Sequence, residues 1–266
     1  MNDYPVRVGS MLYTLVDPNA GHEVAYNRWY ERDHFYAGCL VGPWLFAGRR
    51  WVATRRLKDL RFGDGHAVSS PLDAGSYLAV YWVHEGHHDE HFEWAIKQVW
   101  DLYGAERGFP DRTHAHTVLF DRPRSAYRDA DPVPIELALD HHYGGLVTLA
   151  FDRADGVSPD DLAAFVDDVA LPALFAGGPY ASAVSWRPIP RGGDVTENAP
   201  MDLGTDSGGD ERTLQLVFVD DDPTDTWQRV RDYAAAIDAS DLATVRYAAP
   251  FIPTVVGTDT YTDQLW

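Results

Sequence analysis

The sequence predicts an α+β protein built from two βαββαβ units that close into one pseudo-symmetric α/β barrel, helices outside. Three observations carry that expectation. The segment Ala25 to Trp51 recurs faintly, without a gap, from Asp161 to Arg187. Both copies run from a helical pattern into Gly-Pro (Gly42-Pro43, Gly178-Pro179), then an aromatic residue (Trp44, Tyr180), then a strand-like run. The same order of hydrophobic periodicities also appears on either side of a Pro- and Asp-containing connector.

The elements follow in order. Alternation marks a strand over Ser10–Val16, and a 3.6-residue pattern marks an amphipathic helix over Glu23–Cys39. Strands follow at Leu45–Thr54 and Ser76–His84, a helix at Asp89–Tyr103 and a strand at Thr113–Phe120. The second unit repeats the order with a strand at Gly145–Phe151, a helix at Pro159–Phe175 and strands at Ala181–Pro188 and Thr213–Val219. A helix at Thr224–Ile237 and a strand at Leu242–Ala249 complete it. Ser158 before Pro159, with acids at 160 and 161, is a strong helix start.

Each unit is thus a split βαβ of ferredoxin-like type, and two such units bury their bare sheet faces against each other. The expected boundaries are 1–124 for the first, site-bearing unit, 125–142 for the connector and 143–266 for the second unit. A Gly-, Asp- and Pro-rich stretch, 191–212, reads as a surface loop or lid, and the tail 251–266 is apolar enough to fold back on the barrel.

Composition narrows the function classes. The chain carries 41 acidic and 22 basic residues for a formal charge of −19, which disfavours nucleic acid and anionic membranes as partners. Without a basic, apolar leader or an apolar run of roughly 18 residues, the expectation is a soluble cytoplasmic protein, monomer or homodimer. One cysteine, Cys39, rules out an internal disulfide framework and reads as a small buried residue. No nucleophile elbow, phosphate loop or dinucleotide fingerprint is present.

The run Tyr26-Asn27-Arg28-Trp29-Tyr30-Glu31-Arg32-Asp33-His34, followed by Gly42-Pro43 and Arg49-Arg50-Trp51, resembles the first helix and second strand of the dimeric α/β-barrel superfamily, closest to its EthD-like branch. An aromatic pair four residues before a histidine late in the first helix is shared. The chain departs from that branch after the histidine, where Phe35-Tyr36-Ala37 stands in place of a proline. The resemblance implies a cleft for a small, mostly apolar molecule. It also implies chemistry among cofactor-free isomerases, dehydratases, lyases and quinone-forming monooxygenases, with haem in some branches.

The residues support site assignments of their own. Tyr26, Tyr30 and His34 stand four apart on one helix face beside Trp29, so aromatic neighbours desolvate a group able to exchange a proton near neutral pH. A core-facing histidine is the plain alternative. The repeat sets Ala170 opposite His34, Phe165 opposite Trp29 and Val166 opposite Tyr30, so one site per chain is expected, in the first unit. His84 ends a strand, and His114 and His116 share one strand face by alternation.

The expected catalytic set is His34, His84, His116, Tyr13 and Tyr81. The expected substrate-binding set is Trp29, Tyr30, Trp82, His114 and Arg50. His84, His87 and His91 form an alternative metal set, because His87 and His91 are i, i+4 neighbours on a helix. The leading expectation is a cofactor-independent lyase, dehydratase or isomerase acting on a small hydrophobic oxygenated metabolite by histidine acid–base catalysis. Two alternatives stand beside it: a haem- or metal-dependent or cofactor-free oxygenase, and a non-catalytic small-molecule binding protein.

Overall fold

A computed structural model describes residues 5–191 and 195–266. The chain runs β1 (Val8–Pro18), α1 (Glu23–Trp29), a wide π-helical segment (Tyr30–Leu40), β2 (Leu45–Val52), α2 (Arg55–Lys58), β3 (Phe62–Gly63), β4 (Tyr77–His84), α3 (His88–Gly104) and β5 (Arg112–Tyr127). It continues with β6 (Gly145–Arg153), α4 (Pro159–Phe165), a second π segment (Val166–Ala170), α5 (Leu171–Phe175), β7 (Tyr180–Pro188), β8 (Arg212–Val219), α6 (Trp227–Ala239) and β9 (Ala243–Pro253). The short α2 and β3 have no periodic signal in the sequence, since four and two residues are too few to show a period. Ser158 caps α4 as expected, its hydroxyl accepting from Asp161 N at 3.0 Å with Pro159 in the first turn.

All nine strands join one antiparallel sheet in the order β2-β4-β1-β5-β7-β8-β6-β9-β3, giving a mixed α+β fold. Trp51 and Val52 of β2 also pair with Pro253 and Ile252 of β9, so strands from opposite ends of that order meet. One sheet face carries a core to which β1, β2, β4, β7, β8 and β9 all contribute. Trp82 and Trp186 meet there at 5.2 Å, both fully buried. Burying side chains of this size stabilises by roughly 1.5–3 kcal/mol each. The other face is covered by helices, with α3 and the first π segment over β1, β4 and β5.

Two details set up the site. β5 runs on to Tyr127, past the expected strand end at Phe120, and pairs with β7. Leu15 of β1 faces His116 of β5 while the next residue, Val16, faces His114, so Ala115 is an extra residue in β5. A bulge of this kind turns neighbouring side chains to the other face.

The tail folds back on α1. Leu265 is fully buried, Trp266 Nε1 donates to Glu23 Oε1 at 2.6 Å, and Asn27 Nδ2 donates to the Thr258 carbonyl at 2.9 Å. In the expected lid, 192–194 lie outside the described residues. Its later part docks on β5, where Thr117 N donates to Leu203 O at 2.8 Å and Thr205 N to Ala115 O at 3.0 Å. No helix among the described residues is long and apolar enough to cross a membrane.

Candidate functional site

A largely apolar cavity of about 130 Å³ lies between the helix layer and the β1, β4 and β5 face of the sheet. The 199–203 stretch closes one side through Ala199, Pro200, Met201 and Leu203. Trp100 Nε1 helps anchor that stretch, donating to Asn198 O at 2.7 Å.

His34 reaches this cavity because the helix widens. After Trp29 the chain adopts π winding, with Val41 N donating to Tyr36 O, five residues back, at 3.1 Å. The imidazole then stacks on Trp29 (4.6 Å, 17°) and meets the edge of Tyr30 at 5.2 Å. Gly38 leaves room behind it, since a Cβ at that position would lie 2.7 Å from His34 Nδ1. Neither ring nitrogen of His34 has a hydrogen-bond partner among the described residues. The accessible part of the ring faces the cavity, and burial, reinforced by the Arg112 guanidinium and opposed by Asp33, holds its pKa down to about 3.

The bulge at Ala115 sends His114 into this cavity and His116 to the opposite face. His114 is likewise held at about 3, first by burial and then by Arg112. Arg112 Nε donates to His114 Nε2 at 3.1 Å, and its other nitrogens donate to Tyr103 Oη at 2.8 Å and to the Phe109 carbonyl. Its guanidinium lies 4.8 Å from the Trp29 ring centre. No carboxylate pairs with Arg112 among the described residues, although the chain as a whole is strongly acidic. At the other end, Tyr30 and Tyr81 share a 2.7 Å hydroxyl contact. Burial pushes both phenols well above their usual pKa and the neighbouring Cys39 thiol up to about 12.

His34, Tyr30, Tyr81 and His114 therefore converge, with Trp29 stacked behind His34. Arg50 lies behind Tyr30, 4.5 Å from its ring centre, and pairs with Glu31 at 3.1 Å and Asn27 at 2.9 Å. The other expected residues lie elsewhere. Tyr13 and His116 pack edge to face at 5.9 Å on the opposite side of the sheet, where burial and Arg191 hold His116 at about 3. Trp82 shares that side, its Nε1 donating to Ile135 O at 3.0 Å.

His84 sits at the outer end of β4, its Nδ1 3.0 Å from Glu85 O. The metal alternative is not assembled. His87 stacks on Trp44 at 3.5 Å and bonds Glu90, whereas His91 turns inward and donates from Nδ1 to Pro43 O at 2.6 Å. No group of three potential ligands able to hold a metal ion occurs among the described residues.

Sequence reasoning missed Arg112, Thr14 and Thr117. The signal for Arg112 was its place two residues before His114. Thr14 lay in the phase opposite Tyr13, and the aromatic residue drew the assignment.

No family model and no curated protein sequence matches the chain. Solved structures do. An anthrone oxidase-like protein is similar at TM-score 0.52 and 7% identity, over 96% of this chain and 98% of that chain. A dye-decolorizing peroxidase from Bacteroides thetaiotaomicron is similar at TM-score 0.54 and 9% identity, over 99% and 98%. A haem complex of a Rhodococcus jostii DypB variant is similar at TM-score 0.53 and 11% identity, over 97% and 96%. At identities of 7–11% these likenesses show a shared α+β fold and nothing finer.

The anthrone oxidase-like protein and the dye-decolorizing peroxidase carry oxidoreductase names, against the expectation of a lyase, dehydratase or isomerase.

Proposed function

We propose that the chain is an oxygen-dependent oxidoreductase acting in the His34 cavity on a small, flat, apolar substrate that passes through an anion. The observation that supports this reading is Arg112, a cation without a carboxylate partner among the described residues, beside a neutral and unpaired imidazole in an apolar pocket. Alone, Arg112 opposes protonation of His34. A substrate giving up a proton to His34 becomes an anion that attracts both cations, so the low pKa is relieved as the charge forms. The walls supplied by Trp29, Tyr30 and α3 exclude water and strengthen that attraction.

The reaction balances with dioxygen as sole oxidant. An activated CH2 group loses both hydrogens, one oxygen atom becomes its carbonyl oxygen and the other leaves as water. The anthrone oxidase-like neighbour supports this class by name. The reading extends to the architecture: two tandem units, 1–124 and 143–266, forming one closed barrel. It is supported by the β2 and β9 pairing and by the second π segment, Val166–Ala170, which falls on the repeat of Tyr30–His34.

One observation favours haem-dependent oxidation as a second reading: His34 offers a neutral imidazole, the form that ligates iron. The cavity does not accommodate the group as it is shaped. Its 130 Å³ leaves room for a one- or two-ring molecule but not for a tetrapyrrole, and His114 Nε2 is already engaged by Arg112.

Oxygen uptake over a panel of one- and two-ring phenols and benzylic ketones tests the proposal. The expected result is one dioxygen consumed per carbonyl formed, with a loss on the order of 10²-fold or more in His34→Ala. Absence of uptake across the panel refutes it. A Soret band appearing at one equivalent of added hemin and lost in His34→Ala would replace it with the haem reading.

A further inference from the structure

The hydrogen-bond chain behind His114 leaves a spare proton facing the cavity. A guanidinium only donates, so the contact from Arg112 Nε makes His114 Nε2 an acceptor. The neutral ring then carries its proton on Nδ1, which donates to Thr117 Oγ1 at 2.7 Å. Thr117 Oγ1 lies 2.8 Å from Thr14 Oγ1. These two hydroxyls own two protons, and only one fits between them. Whichever residue donates, the pair retains one O–H without a partner among the described residues, and both side chains line the cavity. Both residues are buried, and a buried donor left unpaired costs more than a spare lone pair.

We infer that Thr14 and Thr117 together form a recognition site for a hydrogen-bond acceptor, so that the substrate is a flat apolar molecule bearing a carbonyl or oxyanion oxygen at this wall. The inference rests on the reading of the cavity as the substrate site. Arg112 and His114 act as positioning residues that orient Thr117, and neither is required to touch the ligand oxygen. Against a hydrocarbon of the same shape the spare donor stays unsatisfied. The preference therefore lies with the oxygenated compound.

Binding of 1-indanone and indane, which share a ring skeleton, tests this without turnover. Loss of oxygen-uptake activity would leave its outcome untouched. The ratio of indane Kd to indanone Kd is the readout. Thr14→Val still leaves the Thr117 proton free, so the ratio should stay within about twofold of wild type. Thr14→Val with Thr117→Val removes both hydroxyl protons and leaves as donor the His114 Nδ1 proton, set 2.7 Å behind the former Thr117 hydroxyl, so the ratio should fall on the order of fivefold. A purely packing role would weaken both ligands alike.

In the wild-type protein the carbonyl stretch of bound 1-indanone should lie at lower wavenumber than in hexane. That measurement holds the inference to account even where the double variant does not fold. An unchanged ratio in the double variant, a hexane-like stretch, or no binding of either compound to wild type overturns it.

Discussion

Acidification from pH 7 to pH 5 is a direct test of the buried imidazoles. His34, His114 and His116 are each held near pKa 3 in the folded protein, against about 6.5 in an unfolded chain. At high pH all three are neutral in both states and contribute nothing to the difference. As pH falls below 6.5 the unfolded chain takes up protons that the folded chain refuses, so stability drops until the folded pKa is reached. Between pH 7 and 5 an unfolded imidazole goes from about one-quarter to almost fully protonated, which favours unfolding by about 2 kcal/mol. Three such groups sum to about 6 kcal/mol, a large share of the 5–15 kcal/mol typical of a folded domain.

The folded value matters little to this figure so long as it lies below 5. Urea unfolding at pH 5, 6 and 7 measures the slope, and His116→Gln isolates one group because its ring lies away from the cavity. The variant should lose about 2 kcal/mol of the stability change between pH 7 and 5, one-third of what the three rings contribute. A wild-type midpoint that does not move with pH, or a slope untouched by His116→Gln, would show that these rings are not buried neutral.

Other outcomes follow from the same geometry. Gly38→Ala drives a Cβ to 2.7 Å from His34 Nδ1, so the ring must shift. A displacement approaching 1 Å should cut turnover on the order of 10²-fold, while overpacking of about 1–3 kcal/mol is partly offset by the roughly 1 kcal/mol helical advantage of Ala over Gly. Oxygen uptake paired with a thermal melt separates the two effects. Arg112→Met removes a cation that depresses both His34 and His114, so both should titrate at higher pH, still below 6.5 because burial is the larger cause. NMR titration of the imidazole Cε1–H signals checks this, and unmoved values would contradict the assigned role of Arg112.

Much of the architecture was legible in the chain because it rests on local rules. Period-2 and period-3.6 runs marked every long strand and helix, and Ser158-Pro159 marked a helix start through one hydrogen bond and one fixed dihedral. Spacing also located His34 over Tyr30, four residues back, while its stacking on Trp29, five residues back, follows from the π winding. The π winding itself carried no signal in the sequence.

Strict alternation failed at β5. It put His114 and His116 on one face, and a single extra residue at Ala115 set them on opposite sides of the sheet. It also favoured Tyr13 over Thr14, because a bulky aromatic side chain marks burial without saying which side of a doubly covered sheet receives it. The histidine-rich run from His84 to His91 looked like a ligand set in one dimension. In space its rings point to different surroundings, toward Trp44 for His87 and toward the Pro43 carbonyl for His91.

Element order, the internal repeat and the aromatic setting of His34 thus came from near-neighbour spacing along the chain. The phase of β5, the lack of a carboxylate partner for Arg112 among the described residues, the spare hydroxyl proton of Thr14 and Thr117 and the closure by 199–203 depended on contacts between residues roughly a hundred positions apart. Such contacts form only when strands register and a loop docks. A bulge shifts register by one residue, and one residue is enough to exchange the two faces of a sheet.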